Sequence, residues 1–277
     1  KSSSVNIKNF NSSYLAAINL AKNIDKEGLV YILLLSDGSL VNGSEIVKGL
    51  EQSDIVLIGT EYTEIGITLV KIYEKIQTTP INAHIMSSKA AEITKIGINC
   101  FLTNKISYAN MMGDILMKAG LNKEIDTVLS AIGGDSRVGK KYMKYGFGFG
   151  GPCLPRDNRA LGFYAKNLGM ELNLPLTVDD FNKEHSIFLK DHYISLNPNK
   201  ETPFVMNYIT YKRGTDILEE SQQFKLCIDL LDEGYCVNVI EIDEVAKNLQ
   251  SLSESYNGRL KFYKQGTKPE GYVINLQ

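Results

Sequence analysis

The sequence contains no tryptophan, and only 3 histidines and 4 cysteines occur among its 277 residues. The cysteines form no C-x-x-C pair and the histidines are scattered, so we expect neither a zinc site nor a disulfide framework. His185 and His192 could share one face of a helix, but solvated surface histidines are the simpler prediction. The formal net charge is −2, which argues against a basic surface for nucleic acid or for an anionic membrane.

Long apolar runs are missing as well. The longest run, Leu29–Leu35, is far shorter than the roughly 20 residues that a membrane-spanning helix requires. The first residues, Lys1-Ser2-Ser3-Ser4, lack the hydrophobic stretch of a signal peptide. We therefore expect a protein of the reducing cytoplasm that has no membrane partner and no nucleic-acid partner.

Helix and strand signals alternate along much of the chain, which is typical of an α/β fold. We expect a partial dinucleotide-binding domain with a Rossmann-like parallel sheet over residues 1–84. A central helical domain over 85–200 and a second Rossmann-like, nucleotide-binding domain over 201–277 complete the prediction. Helices are predicted at 13–24, 44–50, 64–76, 88–119, 122–132, 155–168, 177–195 and 220–233. Strands are predicted at 29–35, 54–58, 204–209, 236–241, 260–263 and 271–275.

The segment Gly148–Asp157 carries the clearest chemical signal. A glycine-rich run leads to Cys153, and Pro155 suits the first turn of a helix that ends before Gly169. The positive end of a helix dipole stabilises a thiolate, so the pattern predicts a nucleophilic cysteine. Asp157 follows one turn later, where it can accept a proton or orient a water molecule. The alternative is that Cys153 is a small buried apolar residue beside an ordinary loop.

The same segment contains a G-x-G-x-x-G spacing at Gly146, Gly148 and Gly151. In a dinucleotide-binding site that pattern follows a buried strand and opens a helix. Here the residues before it, Lys140–Tyr145, do not form an apolar strand pattern. The spacing therefore does not predict a nicotinamide site.

Lys95 and Asn99 form a second candidate constellation, because a spacing of four residues puts them on one face of the long predicted helix. An amide and an ammonium group together can stabilise negative charge on a substrate oxygen. The alternative is a solvated polar stripe on the helix.

Three separated blocks of the sequence resemble the UDP-glucose/GDP-mannose dehydrogenase family. The first block, Ala91–Asn110, includes Lys95 and Asn99 and resembles the family's central helix. The second block runs from Asp135 into the cysteine segment, and the third runs from Tyr211 to Ser221. The resemblance extends from about residue 29 to the end of the chain.

The resemblance implies an enzyme that oxidises the sugar C6 alcohol of UDP-glucose to a carboxylate by two hydride transfers to NAD. Cys153 matches the nucleophile that captures the intermediate aldehyde, and oxidation of the adduct gives a thioester that water hydrolyses. Lys95 and Asn99 match residues that stabilise the oxyanion. Asp157 matches a carboxylate that activates water or accepts a proton.

The resemblance also implies a substrate site and a partner. Arg137 matches an arginine that reaches the substrate across a dimer interface, so a homodimer built on the central helix is expected. Lys212 matches a phosphate contact. The loop around uridine and pyrophosphate is matched by Tyr142, Lys144, Phe149 and Gly150. Lys144 favours UDP-glucose over N-acetylated sugars, and the implied role is precursor supply for a surface polysaccharide.

The departures from the family pattern fall mainly on the cofactor side. Lys1-Ser2-Ser3 resembles a turn deep in the family's cofactor domain, so we expect the front half of that domain to be absent. The segment Asp37–Gly43 lacks two family glutamates, one of them catalytic. Pro152 stands for a serine, Arg156 for a lysine that contacts the cofactor, and Glu219 for an arginine. NAD is the implied cofactor, but we expect this chain not to bind it productively.

Two classes of function are consistent with the sequence. The first is a nucleotide-sugar 6-dehydrogenase, either on UDP-glucose or on GDP-mannose, since the two sugars differ only at C2. The second is a nucleotide-sugar-binding or dimerising fragment that has lost turnover.

Overall fold

The computed structural model describes residues 31–35, 55–76, 80–171 and 173–276. The chain divides into two compact units, one up to Gly97 and one from Ile98 onward, and each is described by itself. The helices predicted near 13–24 and 44–50, the segment Asp37–Gly43 and the first residues of the chain lie outside the described residues. The predicted boundaries after residues 84 and 200 stay predictions.

The first unit contains a three-stranded sheet, in the order β1-β2-β3. Its elements are β1 (Tyr31–Leu35), β2 (Ile55–Gly59), α1 (Thr63–Ile76) and β3 (Ala83–Met86). Strands β2 and β3 are parallel, as the α/β alternation predicts, whereas β1 pairs antiparallel with β2. The core of this unit consists of Val56 and Ile58 from β2 packed on Leu69 and Tyr73 from α1.

Helices dominate the middle of the chain. They are α2 (Ser88–Lys118), a 3₁₀ turn (Asn122–Glu124), α3 (Ile125–Gly134), α4 (Leu154–Asn167) and α5 (Leu174–Leu196). Each agrees with a predicted helix to within about three residues at either end. The boundary between the two units falls inside α2. Within the second unit, Ala109 and Leu116 of α2 pack on Ile125 and Leu129 of α3 and on Met143.

The last part of the chain contains a four-stranded sheet whose strands are all parallel. Its elements are β4 (Phe204–Met206), α6 (Gln222–Asp232), β5 (Val237–Ile240), α7 (Asp243–Asn248), α8 (Gln250–Ser255), β6 (Leu260–Tyr263) and β7 (Tyr272–Ile274). The spatial order is β6-β5-β4-β7, so the chain reverses direction across the sheet between β4 and β7. This is the order of one half of a dinucleotide-binding fold, and ligands bind such sheets at the reversal point.

The core of this last part forms because β4 and β5 are buried on both faces. Phe204, Met206, Val237 and Val239 are at most 1% exposed and pack on the apolar face of α6. Ser221 caps α6 by accepting a hydrogen bond from the Phe224 amide. The loop from the end of β4 to Ser221 therefore emerges at the carboxyl edge of the sheet, where the third sequence block lies.

None of the helices in the described ranges is both long enough and apolar enough to cross a bilayer.

Candidate active site

Cys153 occupies the N-cap position of α4, directly before Leu154. Pro155 lies in the first turn, where a missing N–H costs no intrahelical hydrogen bond, and this explains why the helix starts here. The Cys153 thiol is exposed, whereas Cys100 and Cys227 are buried. The nucleophile predicted from the sequence is thus accessible at the positive end of a helix.

Asp157 lies one turn into α4 and its side chain is 5% exposed. Asn99 of α2 donates a hydrogen bond to Asp157 Oδ2 at 2.7 Å. Arg156 donates to the other carboxylate oxygen from Nε at 3.1 Å and from Nη2 at 3.0 Å. Two of the predicted catalytic residues, Asn99 and Asp157, are therefore in direct contact, and both carboxylate oxygens are held in place.

Arg156, the predicted cofactor contact, is surrounded by negative charge. Its pKa is raised, first by the hydrogen bond to Asp157 and the charge of that carboxylate, then by Cys153 and Glu219. The next arginine on the helix, Arg159, donates to Glu220 at 2.9 Å and to Asp179 of α5 at 3.3 Å. The cationic groups on this side of α4 are thus already paired with carboxylates of the same chain.

The glycine run before Cys153 packs tightly against α5. A Cβ atom on Gly148 would approach Asn182 Oδ1 to 2.2 Å, so no larger residue fits there. Phe149, a predicted substrate residue, is 2% exposed, and both its backbone amide and its carbonyl oxygen are hydrogen bonded to the Asn182 side chain. Its side chain therefore belongs to the core of the loop, and its contribution to a substrate site comes from the backbone around it.

The third sequence block packs on the same loop. A Cβ atom on Gly150 would lie 2.4 Å from the Glu220 carbonyl oxygen, and one on Gly151 would lie 2.5 Å from the Tyr211 ring. Gly151 also has φ +78°, a backbone conformation that is unfavourable for residues other than glycine. The structure thus brings the second and third sequence blocks into direct contact at glycine positions.

Glu241, at the end of β5, holds the start of the third block. Its side-chain oxygens accept hydrogen bonds from the Ile209 amide at 3.0 Å and from the Ile242 amide at 2.9 Å. The residue is 3% exposed. A buried carboxylate with two amide donors is a stable arrangement, and it fixes the path of the chain as it leaves β4.

Arg137 lies in the turn after α3, and its side chain is 88% exposed. It donates to both carboxylate oxygens of Asp135, at 3.0 and 2.8 Å, and this interaction keeps the pKa of Asp135 below its ordinary value. Lys105 of α2 secures the turn by donating to the carbonyl oxygens of Val138 and Gly139, each at 3.1 Å. Arg137 is thus presented on an outer surface of the second unit.

The remaining predicted substrate residues are exposed side chains. Tyr142 is 44% exposed and has a left-handed backbone with φ 66°, whereas Lys144 and Lys212 are exposed lysines. Lys144 lines a cleft of about 610 Å³, together with Lys123 and Lys140. Lys95, the other predicted oxyanion residue, belongs to the first unit, so its relation to Cys153 stays a prediction.

One expectation from the sequence is wrong: His185 is not a solvated surface residue but is 1% exposed. Its Nδ1 lies 2.8 Å from Asp114 Oδ2, and its Nε2 lies 2.8 Å from the Gly146 carbonyl oxygen. Tyr145 donates to the second Asp114 oxygen at 2.8 Å, and burial, followed by the Asp114 charge, raises the Tyr145 pKa. The signal that would have found His185 is its helical spacing from the buried residues Val178 and Leu189.

The described residues do not provide the usual site for a dinucleotide. In the described ranges, no strand leads into a G-x-G-x-x-G turn, and the segment Gly146–Gly151 that has this spacing follows a turn region instead. Arg156 is bonded to Asp157, and Glu219 adds negative charge beside it. The same ranges hold no group of three or more His, Cys, Asp or Glu residues suited to a metal ion.

The four-stranded parallel sheet and the helical region before it form a Rossmann-type fold that is similar to those of solved nucleotide-sugar dehydrogenases. A solved UDP-glucose dehydrogenase from Pyrobaculum islandicum matches with a TM-score of 0.67 at 21% identity, over 85% of this chain and 52% of that one. Residues 89–184 match the central domain of the UDP-glucose/GDP-mannose dehydrogenase family. This part of the chain is therefore similar to the central domain of that family.

Named relatives are similar to this chain over a larger share of its length. UDP-glucose 6-dehydrogenase of Rickettsia bellii is 31% identical over 208 residues, which are 74% of this chain and 48% of the relative. GDP-mannose 6-dehydrogenase of Pseudomonas putida is 26% identical over 215 residues, or 77% of this chain and 47% of the relative. The chain spans about half the length of the curated relatives it matches.

Proposed function

We propose that this chain forms the substrate side of a nucleotide-sugar 6-dehydrogenase that converts UDP-glucose to UDP-glucuronate. The observation that carries the proposal is the exposed Cys153 thiol at the start of α4, one turn before a carboxylate that Asn99 and Arg156 hold. UDP-glucose is preferred to GDP-mannose because several matched relatives carry the UDP-glucose name, and Lys144 favours it over N-acetylated sugars.

In this proposal Cys153 does the covalent chemistry. Its sulfur attacks the C6 aldehyde, a C–S bond forms, and the carbonyl oxygen takes up a proton to give a thiohemiacetal. After that adduct has been oxidised to a thioester, water attacks the carbonyl carbon and the C–S bond breaks. The products are the carboxylate and the free thiol.

Asn99 and Asp157 are proposed to act on the same reaction centre, the C6 carbonyl group of the sugar. The Asn99 amide nitrogen has two N–H groups, and one is donated to Asp157, so the second is suited to a substrate oxyanion. Asp157 is the base that takes a proton from the attacking water. Lys95 is proposed as the second oxyanion donor.

The nucleotide is proposed to bind where the second and third sequence blocks meet. Lys212 and Arg137 supply positive charge for the diphosphate, while Tyr142 and the backbone around Gly150 accommodate the uridine. Lys144 lines a separate cleft, with Lys123, Lys140 and Asp126, and is proposed to contact the nucleotide from its edge.

The overall oxidation needs a hydride acceptor, and by family this is NAD. Because the described residues do not fit that cofactor, we assign no step to it in this chain. Productive NAD binding and turnover are properties of the whole protein in our proposal.

A homodimer is part of the proposal, because α2 carries an apolar stripe on its outer surface. The stripe consists of Phe101, Tyr108, Met111 and Ile115, which are 65%, 46%, 36% and 50% exposed. Their spacings of seven, three and four residues are those of a coiled-coil seam. Ile115→Lys should therefore shift the chain to a monomer in sedimentation equilibrium, whereas a dimer that survives the charge would place the contact elsewhere.

The second candidate, a nucleotide-sugar-binding protein without turnover, is favoured by the carboxylates around Arg156. Alkylation of Cys153 by iodoacetamide tests both, with the exposed Cys236 as an internal reference in the same sample. We expect UDP-glucose to protect Cys153 and not Cys236, and Lys212→Ala to weaken this protection at least about tenfold in concentration.

Failure of UDP-glucose to protect Cys153 would contradict both candidates. Protection without any NADH formation, in the whole protein supplied with NAD and UDP-glucose, would favour the second candidate. Stronger protection by GDP-mannose would change the substrate assignment and leave the reaction class in place.

A further inference from the structure

The loop that leads to Cys153 has no regular secondary structure between α3 and α4, yet side chains from two helices bind its backbone. Asn110 of α2 accepts from the Gly146 amide at 3.0 Å and donates to the Phe147 carbonyl at 3.3 Å. His185 of α5 contacts the Gly146 carbonyl oxygen at 2.8 Å. These bonds replace the backbone partners that a helix or strand would provide.

Asn182 of α5 binds the loop backbone at Phe149, four residues before Cys153. Its Oδ1 accepts from the Phe149 amide at 2.9 Å, and its Nδ2 donates to the Phe149 carbonyl oxygen at 3.0 Å. Asn182 is 7% exposed and Phe149 is 2% exposed, so water does not compete for these two bonds. One side chain thus fixes the orientation of two successive peptide groups.

The contact with Asn182 lies within a glycine-rich stretch, and it helps to set the path of the chain towards Cys153. Gly148 sits against Asn182 Oδ1, with no room for a Cβ atom. Gly150 and Gly151 then pack on Glu220 and Tyr211. Since glycines have the most conformational freedom in the unfolded chain, the direction of this stretch must come from outside it. Cys153 follows Phe149 by only four residues.

We propose that Asn182 is a positioning residue for the reaction, acting through the Phe149 backbone to hold the Cys153 thiol at the start of α4. The inference rests on the proposed function, in which that thiol is the nucleophile. Asn182 itself contacts neither the thiol nor the substrate in this assignment. Its effect is to keep the loop in one conformation, in which the thiol stays at the N-cap position of α4.

Asn182→Asp tests the proposal because it keeps the size of the side chain and removes one donor. The carboxylate still accepts from the Phe149 amide, but its second oxygen then faces the Phe149 carbonyl oxygen, and two acceptors repel. Asn197→Asp is the matched control. Asn197 follows α5 directly, is 5% exposed, and donates to a backbone carbonyl, that of Thr202, at 2.6 Å.

The measurement is the ratio of Cys153 to Cys236 alkylation by iodoacetamide, quantified on peptides from folded protein below both melting temperatures. In Asn182→Asp we expect the ratio to fall by at least about threefold, because the thiol no longer keeps its exposed position at the start of α4. In Asn197→Asp we expect an unchanged ratio despite a comparable loss of stability. A purely structural role for Asn182 would lower stability in both variants and move neither ratio.

Two results would overturn the proposal. An unchanged ratio in folded Asn182→Asp would show that the loop holds its conformation without this contact. A rise in the ratio would show that the contact shields the thiol instead of positioning it.

Hydrogen exchange on the unmodified chain provides a second test if the variant does not fold. The Phe149 amide should exchange at least about a hundredfold more slowly than in the unfolded chain, and exchange at the unfolded rate would refute the contact. Neither measurement contains a UDP-sugar. If UDP-glucose fails to protect Cys153 while the ratio falls as expected, the substrate proposal fails and the positioning role stands.

Discussion

The buried pair of Asp114 and His185 gives the sharpest stability prediction. Both ring nitrogens of His185 face acceptor oxygens, so the pair holds a proton between Nδ1 and Asp114 Oδ2, which are 2.8 Å apart. His185 is 1% and Asp114 8% exposed, and a hydrogen bond to a charged group in such a site contributes about 1.5–3 kcal/mol. A double-mutant cycle isolates this contribution.

Asp114→Ala and His185→Phe are suitable members of the cycle. Phenylalanine keeps the aromatic ring that stacks at 6.2 Å on Phe181 and meets Tyr145 edge-on at 5.7 Å. Each single variant leaves one buried polar atom, Nδ1 or Oδ2, without this hydrogen bond and should lose about 3 kcal/mol. The double variant removes both partners and should lose only about 4 kcal/mol, which gives a coupling energy of about 2 kcal/mol.

Urea unfolding followed by far-UV circular dichroism measures these values, and the absence of tryptophan from the sequence makes fluorescence a poorer probe. Asp114→Ala combined with Asn197→Ala is the control. Asn197 lies twelve residues further along than His185, so these two losses should add to within about 0.5 kcal/mol. A coupling energy below about 0.5 kcal/mol for Asp114 and His185 would refute the assigned hydrogen bond.

Three further predictions follow from single features. Burial raises the pKa of Cys227 to about 12 from 9.0, so the folded state keeps a proton that the unfolded state loses, and stability falls as pH rises from about 9 to 12. Between about pH 8 and pH 10, the free energy of unfolding of Cys227→Ala should therefore fall by about 1.4 kcal/mol less than that of the parent chain. Equal decreases of the two chains in urea unfolding would contradict the burial effect. Gly150→Ala should cost about 1–3 kcal/mol because its Cβ atom meets the Glu220 carbonyl oxygen, whereas Gly134→Ala, which meets nothing within 4 Å, should be neutral or stabilising in the same assay. A thiol titration should detect two reactive cysteines in the folded chain and four after denaturation, and a third fast thiol would place one of the buried pair at the surface.

The local features around Cys153 were predictable from the sequence because they depend on neighbouring residues. The proline in the first turn and the glycine past the last turn mark the ends of α4, and the observed helix, Leu154–Asn167, starts and stops one residue before the prediction. The contact of Asn99 with Asp157 was not predicted, because the family resemblance implied a catalytic role for each residue and no bond between them. Fifty-eight residues separate the two, and spacing alone carries no information about such a pair.

Elements that depend on distant partners were missed for the same reason. Strand β3, Ala83–Met86, has no fully buried residue, and it is a strand because β2 provides a parallel partner. The direction of β1 against β2 is likewise a property of the pairing and not of the hydrophobic pattern. Helices α7 and α8 are only six residues each, too short for their periodicity to stand out.

The buried polar residues of α5 were missed for a different reason. Asn182 and His185 continue the helical spacing of buried apolar residues, but a search for apolar periodicity skips them. A polar residue at a core position is informative because it must find a partner. In this chain the partners are backbone groups of the loop before Cys153.

The hydrogen bonds of Glu241 limit which ligands the C-terminal sheet can bind. In dinucleotide-binding folds an acidic residue shortly after the first helix grips a ribose hydroxyl, and Glu241 ends β5 in the comparable place. Here both of its oxygens already serve amides of its own chain. Because Glu241 is also only 3% exposed, a nucleotide on this sheet must present its sugar to other groups, and the sheet's topology by itself does not make it a second coenzyme-binding site.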